Sequence, residues 1–206
     1  MKRPIQKSNQ WEDHYARRAR KENFPARSVY KLEEIQNKFR LIQPTDKVLD
    51  LGCAPGSWLM CAARLTRGQV TGIDIKPLTQ ALPGHVRVIA GDATAVDEAF
   101  LQTVGADYDV VLSDMAPSTT GNKHVDSARS FYLARAALEM TDAVLRSGGH
   151  FVCKIFQGED LTAFIQLAKQ RFEKVKSFKP KSCRKASKEI YIIAMSKRQE
   201  ENHVGT

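Results

Sequence analysis

Apolar residues recur at three- and four-residue spacing in one early segment and in short continuous runs later, and the two patterns predict different elements. Val29, Leu32, Ile35 and Phe39 place one apolar stripe on a helix over 27–40. The polar, basic stretch before it offers Trp11, His14 and Tyr15 as anchors on a short helix, and Pro25 interrupts the two. Gln43-Pro44-Thr45-Asp46 reads as a turn. From there apolar runs alternate with helical segments. Strands are expected at 47–51, 69–75, 86–90, 109–113 and 150–155, with helices at 57–65, 96–104, 126–145 and 161–172 and a stop at Ser147-Gly148-Gly149. Strands at 174–178 and 190–194, separated only by a basic loop, read as an antiparallel hairpin. Near-continuous apolar strands alternating with helices predict an α/β layered sheet, mostly parallel.

At 206 residues this is one domain with room for a substantial core. The expected organisation is a basic N-terminal segment over 1–26, a domain over 27–198 and a flexible tail over 199–206. No apolar run is long enough for a membrane span, and the first residues lack a signal peptide's apolar core. The four cysteines, Cys53, Cys61, Cys153 and Cys183, are far apart, with no Cys-x-x-Cys pair. That spacing argues against a disulfide framework or a metal site, and a reducing cytoplasm is the expected setting.

Charge changes the picture more. Of the net +9, residues 1–40 carry +6 and residues 171–189 another +6, whereas 41–170 carry −3. Two basic segments attached to a body that is not basic suit a polyanion. Arg17, Arg18, Arg20, Lys21 and Arg27 on one side, and Lys181, Arg184 and Lys185 on the other, are the candidate nucleic-acid contacts.

The loop Asp50-Leu-Gly-Cys-Ala-Pro-Gly-Ser-Trp58 leaves the first strand and enters a helix, the place where ligands meet such sheets. Gly52, Pro55 and Gly56 would let the backbone approach a ligand closely, with Asp50 for an amine and Trp58 as an aromatic wall. Asp74, at the end of the second strand, can accept both hydroxyls of a ribose, and Asp92, after the third, can read an adenine amino group. Neither G-x-G-x-x-G nor G-x-x-x-x-G-K-[ST] is present, and no cation follows the loop to meet a phosphate. A phosphate-free, positively charged nucleoside such as S-adenosylmethionine fits that acidic lining.

Lys31, Asp114, Lys154 and Glu189 stand at or beside predicted strand ends or on the helix leading into the core. A lysine is a weak base at its free pKa of about 10.4, but burial and a neighbouring cation can bring it to roughly 7–8. Two lysines and two carboxylates converging beside a cofactor would suit removal of a proton from an alcohol. Tyr191, two residues past Glu189, shares its face on a strand and either touches substrate or belongs to the core.

In order, ARSVYKL, LDLGCAPGSW, GIDIKP, GDAT, LSDMAP, DSARSFYLARAALEM, GGHFVCKIFQGED and SKEIYIIA resemble the FtsJ/RrmJ (RlmE) family of ribose 2′-O-methyltransferases from about Arg27 to Ser196. Ser57 stands where a glycine is often found. The resemblance implies a seven-stranded Rossmann-like methyltransferase fold, S-adenosylmethionine as methyl donor and a Lys31–Asp114–Lys154–Glu189 catalytic set. It also implies cofactor contacts at Gly56, Trp58, Asp74, Asp92 and Asp114. For the bacterial branch it implies a uridine of large-subunit ribosomal RNA, read in the assembled particle by a monomer that needs no metal. In that mechanism Lys154, held by Asp114 and Glu189 and depressed by Lys31, deprotonates the ribose hydroxyl. Relatives use the same four residues on transfer RNA or messenger RNA caps, and a silent ribosome-assembly protein could keep the fold. A base amino-methyltransferase would need an Asn/Asp-Pro-Pro-aromatic segment where this chain has Asp114-Met-Ala-Pro117. A small-molecule methyltransferase would leave the two basic segments without a purpose.

Overall fold

The computed structural model describes residues 10–199, with side chains from residue 14 onward. Trp11 and all but the first residue of the expected tail therefore lie outside the described side chains. Thirteen elements follow in order. They are α1 (Gln10–Lys21), α2 (Val29–Phe39), β1 (Val48–Leu51), α3 (Ser57–Leu65), β2 (Val70–Asp74), β3 (Val86–Ala90), α4 (Glu98–Val104), β4 (Tyr108–Ser113), α5 (Lys123–Val144), β5 (Leu145–Phe156), α6 (Leu161–Arg171), β6 (Phe172–Phe178) and β7 (Glu189–Lys197).

The seven strands form one sheet in the order β3-β2-β1-β4-β5-β7-β6. β1 to β5 run parallel, and β7 inserts antiparallel between β5 and β6. The order reverses at β1, which opens a crevice at the carboxyl ends of β1 and β4. Each central strand is apolar on both sides because both faces are covered. Leu49, Leu51, Val111, Phe151 and Ile192 face the layer of α5 and α6, while Val48, Val110, Val152 and Ile193 face α2 and α3. All of these are fully buried, each stabilising the fold by about 1.5–3 kcal/mol relative to exposure.

The α2 stripe docks as its spacing predicts: Val29, Leu32 and Ile35 are buried. The helix ends at Arg40, whose left-handed backbone (φ 52°) returns its N–H to the Gln36 carbonyl. The described part of the basic N-terminal segment packs onto the body, since Ala19 and Phe24 join the same apolar layer as α2. One expectation needs correction. Ser147-Gly148-Gly149 does not precede the fifth strand but lies inside it. Leu145 already pairs with Tyr108, and the ladder resumes at Val110 opposite His150, so the intervening residues bulge out, helped by Gly148 at φ 76°. Among the described residues no helix is long and apolar enough to cross a membrane.

Candidate active site

A cavity of about 450 Å³ lies at the carboxyl ends of β1, β2, β3 and β4. Gly52, Asp74, Asp92 and Asp114 stand in its wall, joined by Ile75, Met115 and Leu133. Only glycine suits the floor at position 52, where φ is 72° and a Cβ would come within 2.5 Å of Met115 Cγ. Gly56, at φ 104°, starts α3 beneath the Gln80 amide, which a Cβ would strike at 1.8 Å. Asp74 fixes the loop as well as lining the cavity, because Oδ2 accepts from Ala54 N–H and Oδ1 from Lys76 N–H, both at 2.8 Å. Asp92 is exposed on the opposite wall, with Thr94 N–H bonded to its Oδ1 at 2.8 Å.

Asp50 lies beneath this loop, fully buried, its carboxylate met by the Leu59 backbone N–H at less than full hydrogen-bond geometry. Burial pushes its carboxyl well above the usual range, and the negative charges of Asp114 and Asp74 push it further. A positively charged ligand in the cavity would relieve all three acids at once. The lining therefore fits a cationic nucleoside and would repel a pyrophosphate. Trp58 differs from its expected role. Its ring is 2% exposed, donates from Nε1 to the Ser28 carbonyl at 2.8 Å and packs against Tyr191, so it is a core residue and not a wall of the cavity. Pro55 is exposed, and its carbonyl accepts from Gln80 at 2.7 Å.

The four residues scattered over the sequence do meet. Lys154 Nζ, at the end of β5, lies 3.0 Å from Asp114 Oδ1 and also bonds the Asp114 carbonyl oxygen. Lys31 Nζ, reaching in from α2, lies 2.6 Å from Glu189 Oε2 at the start of β7. The pairing departs from expectation in one respect: Glu189 holds Lys31, and Lys154 is held by Asp114. Burial opposes the charge on Lys31, but Asp114 and Glu189 together raise its pKa above the ordinary value. Burial would likewise raise Asp114, yet Lys154 and Lys31 hold it below the usual carboxylate range. Lys31 is therefore a cation and Asp114 an anion at neutral pH.

Tyr191 is fully buried, so it is no RNA contact. Its hydroxyl donates to Asp114 Oδ1 at 2.6 Å, and burial, then the Asp114 charge, push its pKa well above the ordinary phenol value. Its register opposite Lys154 in the β5–β7 ladder puts both side chains on one face. Sequence reasoning missed Ile75, Met115 and Leu133. Ile75 and Met115 each follow a wall aspartate directly, which was a usable signal; Leu133 is one apolar position in a long helix and gave none.

The FtsJ-like methyltransferase family model matches residues 24–197, nearly the whole described chain. The chain belongs to the FtsJ-like methyltransferase family. It is 55% identical over 194 residues to the ribosomal RNA large subunit methyltransferase E of Desulforapulum autotrophicum, covering 93% of this chain and 96% of that protein. The protein of the same name from Desulfosudis oleivorans is 52% identical over the full length of both. A crystal structure of a ribosomal RNA methyltransferase from Plasmodium falciparum superposes with a TM-score of 0.73 at 26% identity, covering 84% of this chain and 98% of that one.

On this FtsJ-like scaffold the basic residues divide. Arg18 and Lys181 line one depression together with Tyr15, Tyr30, Glu33 and Glu34. Arg18 is engaged there, 2.7 Å from Glu22 and stacked over Tyr30. Glu34 pins the β6–β7 loop by accepting from the Lys181 and Ser182 N–H groups at 2.7 and 2.8 Å. Arg27 is turned inward rather than toward solvent. Its Nη2 donates to the Ser182 carbonyl at 2.7 Å and its Nη1 is buried, so it ties the two basic segments together. Arg184 lies in a separate cavity that contains Glu189. Arg17, Arg20, Lys21 and Lys185 are exposed. The structure thus joins the segments at Arg18 and Lys181 but does not set all eight cations in one groove.

Proposed function

We propose that this methyltransferase acts in the cytoplasm on the ribose 2′-hydroxyl of RNA, with S-adenosylmethionine as methyl donor. The substrate is a uridine of large-subunit ribosomal RNA in the assembled particle; the names of its relatives support the large-subunit ribosomal RNA. The observation that carries this reading is the meeting of Lys31, Asp114, Lys154 and Glu189 beside an acid-walled cavity.

When bound, the cofactor supplies an electrophilic methyl group. Asp74 would take its ribose hydroxyls and Asp92 its adenine edge, while Asp50, expected to meet the amino group, is fully buried behind the cavity wall and would act on it only through the loop. Asp114 separates this cavity from the acceptor side and orients Lys154. Lys154 would take the proton of the 2′-hydroxyl as its oxygen accepts the methyl group, whose bond to the donor's sulfur breaks. Lys31 shares the charge of Asp114 with Lys154. Glu189 keeps Lys31 in place, and the rigid β4, β5 and β7 ends hold the group aligned, which is where much of the acceleration would arise.

The test is methyl transfer by the purified protein to large ribosomal subunits and to naked ribosomal RNA that lack the modification, followed by mapping of ribose methylation. One methylated uridine ribose, formed preferentially in the particle, is expected. Methylation of a base, or of no RNA at all, would overturn the reading.

A further inference from the structure

Eight of the nine phenylalanines pack into the two apolar layers, three on the α2–α3 side and five on the α5–α6 side; Phe156 belongs to neither. It stands at the end of β5, in register with Glu189 across the β5–β7 ladder, two residues beyond Lys154. Alternation puts Lys154 and Phe156 on one face, separated by about 6.6 Å along the strand. Phe156 N–H donates to Ser130 Oγ at 2.9 Å, which fixes the strand end.

The ring lines a cavity of about 420 Å³ shared with Glu189, with Lys123, Arg184 and Lys188 around it. The acids present are already engaged. Asp126 accepts from Thr120 N–H at 2.7 Å and from Gly121 N–H at 3.2 Å, and Glu189 is paired with Lys31. An aromatic face outside the core, beside the residues proposed to act on a ribose hydroxyl and rimmed by cations, is what a nucleotide requires.

We propose that this cavity seats the acceptor nucleotide, with its base stacked on Phe156 and its flanking phosphates on Lys123 and Lys188. The inference rests on the ribose-methylation reading above. A nucleoside carries its base on the carbon adjoining the one that bears the 2′-hydroxyl, and two strand steps separate the amine from the ring. Stacking on a phenyl face holds any base, so Phe156 supplies grip and orientation rather than base choice.

The experiment measures methyl transfer to large ribosomal subunits lacking the modification, for Phe156→Ala, Phe156→Leu and Phe156→Trp beside the unaltered protein. Loss of an aromatic face should lower kcat/KM for the particle about 5- to 150-fold in the Ala and Leu variants. The Trp variant should restore transfer, and S-adenosylmethionine affinity and melting temperature should stay constant throughout. A Leu variant as efficient as the unaltered protein would overturn the proposal, as would a Trp variant as impaired as Ala. Should Ala fail to fold, the Leu–Trp pair still decides. For the phosphates, Lys123→Gln with Lys188→Gln should flatten the salt dependence of KM by about 0.7 per lost contact on single-stranded RNA. An unchanged slope overturns the assignment of those two lysines. If the unaltered protein methylates no ribose, the reading of function fails and this inference with it; a working protein with an indifferent Leu variant overturns only the inference.

Discussion

Tyr191 and Asp114, 77 positions apart in the chain, share a 2.6 Å hydrogen bond behind the Lys154 amine. The phenol cannot titrate usefully where it lies, so it serves Asp114 as a permanent donor. Tyr191→Phe should leave the fold intact, because the ring keeps its place against Trp58 at 5.6 Å. A hydrogen bond to a charged group contributes about 1.5–3 kcal/mol, so kcat should fall about 10- to 100-fold if Asp114 then shifts. Cofactor affinity by calorimetry should change little. An unaltered kcat would mean that Asp114 holds its position without the tyrosine.

Lys154→Ala should lower kcat by at least about 10²–10⁴-fold, the usual weight of a positioned acid–base group. It also leaves Asp114 with one cation fewer at a buried site, since Lys154 is 5% exposed. The carboxyl should therefore become easier to protonate, and the variant should be less stable as well as inactive. Lys154→Met, which keeps most of the volume, separates lost packing from lost chemistry. Near-normal transfer by either variant would remove Lys154 from its proposed role.

Asp74→Asn keeps the shape of the carboxylate but loses its charge and changes one oxygen to a donor. One of the two N–H groups it now receives, from Ala54 and Lys76, should then lose its acceptor. Cofactor binding should weaken about tenfold or more, from charge-assisted bonds of about 1.5–3 kcal/mol each. Titration calorimetry checks this, and unchanged affinity would sink the second-strand assignment.

The layered sheet and the ligand loop at the end of its first strand were legible because each rests on a periodicity or on a residue type at a strand end. The four charged residues came as a set from the family resemblance, and their meeting only from the fold. Lys31 and Glu189 could be paired only through the fold, since 158 positions separate them and neither local pattern names the other. Trp58 misled for a physical reason. An aromatic two residues past a glycine turn sits on the first turn of α3, and which way that turn faces depends on α2, which the loop sequence does not encode. Ser28 and Tyr191 draw the ring inward. The bulge at Ser147-Gly148-Gly149 was read as a boundary because a glycine pair weakens both helix and strand, and pairing with Tyr108 decided between them.

Asp50 should leave a mark on stability against pH. Its folded-state pKa is raised, so the stability it contributes is present at acid pH and is lost as pH rises from its ordinary value of 3.8 through the raised one. Asp50→Asn removes that loss. The melting temperature of the variant relative to the unaltered protein should therefore climb as pH rises above the ordinary carboxyl value of 3.8. A difference that stays flat with pH would mean that the buried carboxyl is already paired.

The two basic segments should not contribute equally to RNA binding. Arg18 is bonded to Glu22 at 2.7 Å and lies 3.8 Å from Glu33, so part of its charge is already offset in the free protein. Lys181 and Lys185 are exposed on the β6–β7 loop, Lys181 in the depression that Arg18 lines and Lys185 between Arg184 and Ala186 of the cavity that contains Glu189. Neutralising Lys181, Arg184 and Lys185 together should flatten the salt dependence of RNA affinity by about 2, at about 0.7 per phosphate on single strands. Neutralising Arg17, Arg18, Arg20 and Lys21 should flatten it by less per charge removed, because Arg18 must first leave its carboxylates. Cofactor affinity should hold in both sets, since the walls of that cavity come from the −3 body at 41–170. Binding curves at several salt concentrations for each set give the slopes. If both slopes match that of the unaltered protein, these cations solvate the surface and RNA is held elsewhere.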